Sequence, residues 1–158
     1  MDAIDRTDLA VSVTRSPLPH GQKPSIRAAV TWGLVVGAIQ AASPLGFWWL
    51  DPATVYAVGL AVIAAVYIGF AVADGRWRVI ALESSVAMAF VVIGVAGITG
   101  SAWLLVLGFA AHGLKDAWQQ RAQYVSGTRW WPPFCAAVDW VVALAIGIEI
   151  VAGIRFQP

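Results

Sequence analysis

Charge is scarce in this chain. Only 12% of its 158 residues are Asp, Glu, Lys or Arg, about half the share of roughly 25% found in a soluble domain. Too few charges remain to clothe a water-facing surface. Cysteine is represented by Cys135 alone, which excludes an internal disulfide framework and a zinc cluster built on paired thiolates. Histidine is limited to His20 and His112, so there is no His-rich metal signature. There is no glycine-rich phosphate loop and no nucleophile elbow, and the sequence names no catalytic residue and no cofactor. The few basic residues are scattered at the ends of apolar segments, which excludes a nucleic-acid surface. No internal repeat is visible.

What the chain has instead is apolar length. It is 59% hydrophobic with a mean hydropathy of +0.74, and it contains five apolar segments. Each is near the roughly 20 residues that a helix needs to cross a bilayer. They run from Ala28 to about Leu50, about Ala53 to Ala73, Trp77 to Ile98, Ala102 to about Gln119, and Phe134 to about Ile154. Pro44 is expected to kink the first segment or end it early. Residues 1–27 are polar and broken by Pro17, Pro19, Gly21 and Pro24, and read as a flexible cytoplasmic tail. The expected fold is an all-α integral membrane protein, with residues 28–158 forming one five-transmembrane-helix bundle.

Basic residues orient it. Arg6, Arg15, Lys23 and Arg27 precede the first segment, Arg76 and Arg78 follow the second, and Lys115, Arg121 and Arg129 lie between the fourth and fifth. Only Arg155 falls on the other side. Because cytoplasmic loops are enriched in Lys and Arg, the N-terminus is expected inside and the C-terminus outside, in the cell's inner (plasma) membrane. A cleaved signal peptide ending near Ala38, Ala41 and Ala42 is the rival for the first segment. It is disfavoured by the long polar lead and by Phe47, Trp48 and Trp49 continuing the apolar run. Trp48 and Trp49 suit the outer interface, and Trp77, Trp118, Trp130 and Trp131 the inner one.

Small residues at four-residue spacing allow close helix approach, which drives association in lipid. Gly33, Gly37 and Ala41 form one such stripe, and Ala61, Ala65 and Gly69 another. Ala96 with Gly100 and Ala143 with Gly147 repeat the spacing. They favour a tight bundle and also offer faces for a second copy or another membrane protein.

Ionisable residues inside apolar segments are expensive and are functional candidates by default. Glu83, His112, Asp116 and Asp139 qualify. Gly108, His112, Asp116 and Gln120 recur every four residues and line one face, with His112 roughly 6 Å deeper than Asp116. With alternating helix directions the three acids share the cytoplasmic leaflet, so the four residues are expected to form an inward-facing pocket for a proton, cation or small polar ligand. Glu149, about 15 Å further along its helix than Asp139, is expected either to belong to a separate polar feature or to snorkel toward the outer headgroups. The competing reading is structural. Lys115 and Arg121 would neutralise Asp116 and Asp139, and Glu83 would bond Ser84, Ser85 or a neighbouring helix. Metal is a minority reading; one imidazole with several carboxylates suits Mn, Fe or Zn better than copper.

The stretch Ala111-His112-Gly113-Leu114-Lys115-Asp116, followed by Arg129-Trp130-Trp131-Pro132-Pro133-Phe134-Cys135 and Asp139, resembles a group of small, uncharacterised bacterial membrane proteins. They pair an Ala-His-x-x-x-Asp helix with a Trp-x-Pro-Pro-Phe-Cys turn and a following Asp. The resemblance covers about the last third of the chain and implies only that His112, Asp116 and Asp139 belong together. Three functions stay open: a binding or transport bundle, an accessory or assembly subunit, and a membrane-embedded enzyme acting on lipid headgroups with His112 as acid, base or ligand.

Overall fold

The computed structural model describes residues 25–154 and Phe156. Residues 1–24 of the expected tail, with Arg6, Arg15, His20 and Lys23, lie outside the described residues, as does Arg155. Six helices follow: α1 (Ile26–Ala41), α2 (Ser43–Gly46), α3 (Pro52–Asp74), α4 (Trp77–Thr99), α5 (Trp103–Ala122) and α6 (Trp131–Val151). No strand occurs among the described residues. The result is an all-helical, membrane-type bundle, in which α3, α4 and α6 are long and apolar enough to cross a bilayer.

The other two long helices differ for physical reasons. α1 is apolar but only 16 residues long, about 24 Å at the helical rise. It ends ahead of Pro44, which opens the single turn of α2. α5 has 20 residues, but Lys115, Asp116, Gln119, Gln120 and Arg121 crowd its second half.

Local chemistry sets the boundaries. Ser25 caps α1. Asp51 caps α3 by accepting from the Thr54 N–H at 3.0 Å, with Pro52 in the first turn, where no amide hydrogen is needed. Gly75 ends α3 in the left-handed region at φ 79°, a conformation glycine adopts without steric cost. At the start of α6, Pro132 and Pro133 occupy the first turn, so the Trp-Trp-Pro-Pro stretch fixes where that helix begins.

Packing proceeds in pairs. α3 lies against α4, α5 against α6, and α1 against α6, while α4 and α5 join the two hairpins. Gly33 and Gly37 make the α1–α6 contact. A Cβ on Gly33 would collide with the Phe134 carbonyl and stand 2.7 Å from Ala137 Cβ, and one on Gly37 would stand 2.9 Å from Val141 Cβ. The stripe on α3 behaves differently: Ala65 and Gly69 face outward, and among the described residues nothing lies within 4 Å of a Cβ placed on Gly69. Gly147 also has open space beside it.

The hairpins are laced together at the end that carries the α3–α4 turn. Arg76 donates to Asp74 Oδ2 at 2.8 Å and to the Tyr124 carbonyl at 2.6 Å, and Asp74 Oδ2 accepts from the Ser126 N–H at 2.9 Å. The hydrogen bond to Asp74 holds the Arg76 guanidinium above its usual pKa. Beneath it, Gln119 Nε2 donates to the Val125 carbonyl at 3.1 Å and to Thr128 Oγ1 at 3.2 Å, a buried knot that shapes the α5–α6 loop.

Candidate functional site

The buried face of α5 is Leu105, Gly108, Phe109, His112, Asp116 and Gln119. It therefore ends at Gln119 rather than at Gln120, because four residues advance the helix by about 40° more than one turn. Gly108 lets α5 approach Leu60 of α3 and Ile93 of α4. Gly113 admits the indole of Trp140 from α6. These contacts bring the middle of α5 against three helices at once.

His112, Asp116 and Asp139 meet there, each with 0% exposure. His112 Nδ1 lies 2.8 Å from Asp139 Oδ2 and 3.4 Å from Asp116 Oδ2. One ligand atom from each of the three falls within 4.8 Å of the others. The imidazole is held edge-on to Phe90 at 4.8 Å and to Tyr67 at 6.2 Å between ring centroids. With both carboxylates ionised and the imidazole neutral, the cluster carries two negative charges in an apolar interior. Such charge is tolerated only when paired.

The pairing within the cluster is incomplete. His112 Nε2, both oxygens of Asp116 and Asp139 Oδ1 are buried without a hydrogen bond, and so is the Tyr67 hydroxyl, which stands beside Asp116. An unmet buried polar group costs about 1–3 kcal/mol, more when charged. Few native groups are left so, and each calls for an explanation such as an ion or a proton.

Glu83 is buried on α4 at 2% exposure but takes a different partner. Its Oε2 lies 2.7 Å from Lys115 Nζ, and that ammonium sits 3.3 Å above the Tyr67 ring, a cation–π arrangement. Lys115 is therefore spent on Glu83 and the Tyr67 ring, not on Asp116 or Asp139, contrary to the structural reading of the sequence. Ser85 bonds its own helix at the Ala81 carbonyl. The four candidate residues thus sit in two adjoining sets: a compensated Glu83–Lys115 pair, and an uncompensated His112–Asp116–Asp139 trio, with Tyr67 between them.

Tyr67 and Phe90 escaped the sequence reading because an aromatic residue in an apolar helix looks like any other core residue. Spacing from Tyr67 alone gives no sign that it faces a lysine. The apolar groove of about 510 Å³ between α1, α5 and α6, lined by residues such as Val30, Leu34, Pro133 and Trp140, includes none of the four.

Glu149, a partly buried carboxylate further along α6, lies apart. Its carboxylate oxygens are 3.3 and 3.4 Å from the Tyr56 hydroxyl, which donates to the Ala41 carbonyl at 2.7 Å. No protein-family model matches the chain, and no curated protein or solved structure matches it either.

Proposed function

We propose that this protein is a small polytopic membrane protein whose buried acid–histidine site binds a cation, either a proton or a metal ion. The observation that supports this reading is the uncompensated trio. Two carboxylates and an imidazole converge with four polar atoms that lack a hydrogen bond and, among the described residues, no lysine or arginine paired with them. Intramembrane acids in such a setting mark ion or proton pathways by default. The Glu83–Lys115 pair is the only partly exposed edge of the assembly, Lys115 retaining 14% side-chain exposure. It is the natural entrance, because displacing a lysine head from a carboxylate opens a path without unwinding a helix.

In this reading α1 and α5 cross the bilayer together with α3, α4 and α6, giving five spans in the inner (plasma) membrane. The N-terminus and the α3–α4 turn face the cytoplasm and the C-terminus lies outside. Arg76, Arg78, Arg121 and Arg129 support that orientation, since all four lie at the α3–α4 turn end and cytoplasmic loops are enriched in Lys and Arg. Single-cysteine labelling after replacing Cys135 tests it. Ser16→Cys and Gly127→Cys should resist a membrane-impermeant reagent in intact cells and Gln157→Cys should react; labelling of Gly127→Cys from outside rejects the topology.

The binding reading is tested by unfolding the detergent-purified chain against a panel of monovalent and divalent cations. A cation that binds only the folded state raises the unfolding temperature, and Asp139→Asn should abolish that rise while leaving yield unchanged. A panel without effect on the wild type, together with no Asp139-dependent proton uptake in vesicles, defeats the proposal. The assembly reading has its own support in the outward Ala65 and Gly69 of α3, a face suited to another helix of a second copy or a different membrane protein. It requires a stable partner on purification.

A further inference from the structure

We infer that the cation is a divalent transition metal of the Zn²⁺, Fe²⁺ or Mn²⁺ class, held by His112, Asp116 and Asp139; this rests on the cation-binding reading above.

Geometry carries the inference first. Donor atoms held at about 2.0–2.2 Å from one ion in a tetrahedron stand about 3.3–3.6 Å from each other. His112 Nδ1 and Asp116 Oδ2 are already 3.4 Å apart. His112 Nδ1 and Asp139 Oδ2, at 2.8 Å, need to open by only about half an ångström to match. The remaining pair falls inside the same 4.8 Å sphere. All three side chains come from regular helices, and Phe90 and Tyr67 lock the imidazole plane. A ligand set on rigid elements is the kind that holds its geometry.

Charge selects the valence. Two carboxylates with a neutral imidazole carry minus two, so a divalent ion makes the buried complex neutral. A monovalent ion leaves one negative charge in an apolar interior, which is costly. Donor type then selects the element. Calcium takes six to eight oxygens, and magnesium prefers oxygen ligands with several retained waters; an imidazole in a dry, three-residue site suits neither. Mixed imidazole and carboxylate donors suit zinc, iron or manganese, while the absence of a thiolate or thioether among the three removes the preference for copper(I).

Unmet atoms supply the independent observation. Asp116 has 0% exposure, and neither of its oxygens has a hydrogen bond although Oδ2 points at His112. A metal at the common point of the trio satisfies it directly. The Tyr67 hydroxyl beside Asp116 is then placed to donate to the ligating carboxylate, the outer-shell contact that orients first-shell groups.

The test uses the full chain carrying His20→Ala, which removes the one other imidazole, purified in detergent and stripped with a chelator. Cobalt(II) is the probe because its visible ligand-field bands report tetrahedral coordination. The expected result is one Co²⁺ per chain, displaced by Zn²⁺, with affinity reduced at least about 100-fold in Asp116→Asn and Asp139→Asn. Tyr67→Phe should cost about 10-fold, as for other outer-shell contacts. Asp116→Glu, which retains the carboxylate, should keep measurable binding and guards against loss through misfolding. A wild-type chain that takes neither Co²⁺ nor Zn²⁺, or one whose binding is unchanged in both Asn variants, overturns the inference. If divalent metals fail but Na⁺, K⁺ or proton uptake into vesicles depends on Asp139, the metal assignment falls and the cation site stands. If no uptake depends on Asp139, both fall.

Discussion

The two ends of this bundle each hide a carboxylate system, and they are built in opposite ways. At the α4–α5 turn end, Glu149 is only partly buried and meets one neighbour, the Tyr56 hydroxyl, which is already committed to the Ala41 carbonyl. Nothing there is left asking for charge. Toward the α3–α4 turn end, three helices contribute Glu83, His112, Asp116 and Asp139, and Lys115 compensates only the first of them. A buried acid does not make a site. Buried polar atoms left without partners, on helices that hold them in place, make a candidate for one.

Four experiments sharpen that contrast, in decreasing size of effect. Lys115→Met leaves Glu83 buried without its cation and should lower unfolding stability by about 3–5 kcal/mol. Adding Glu83→Gln should recover most of the loss, as read in a detergent denaturation series. Asp139→Asn should weaken cation binding by about 100-fold, close to 2.7 kcal/mol, whereas Glu149→Gln should leave titrations unchanged. Equal loss in both variants would erase the distinction between the ends. Gly33→Ala forces a methyl group into the Phe134 carbonyl and should cost about 1–3 kcal/mol by overpacking, with loss of a disulfide crosslink engineered between α1 and α6. Tyr56→Phe removes one polar tie and should cost about 0.6 kcal/mol without altering metal affinity.

Much of the helical framework was legible in hydropathy alone. Trp77 begins α4 as expected, and Pro52–Asp74 differs by one residue at each end from the expected second segment. Hydropathy has no length sense at a proline, however, and ran the first segment past Ala41 to Leu50. Burial of Glu83, His112, Asp116 and Asp139 followed from the cost of charge in an apolar helix. Their division into two sets did not. Lys115 adjoins Asp116 in sequence, so a local reading pairs them, but successive residues on a helix point about 100° apart. Only the packing of α4 against α5 reveals that the ammonium reaches Glu83. The small-residue stripes show the same limit: spacing marks Gly33–Gly37 and Ala65–Gly69 alike, and among the described residues only the first is used for close packing. Direction on a helix needs a neighbour to define it.

The grip of α1 on α6 also sets an order of events. A chain is synthesised from its N-terminus, at about 5–20 residues per second in cells, so α1 emerges well before the surface it fits. Gly33 and Gly37 complement Phe134, Ala137, Val138 and Val141, and that partner is the last of the described helices to be made. Until α6 exists, the Gly33–Gly37 face lacks the surface it fits. α1 is thus joined to its partner by shape rather than by a short connection, and the bundle is in effect a four-helix core with a separately seated fifth. Such an architecture should tolerate a break in the polypeptide between α1 and α3, checked by whether the first helix, co-expressed as its own peptide, co-purifies with the rest of the chain.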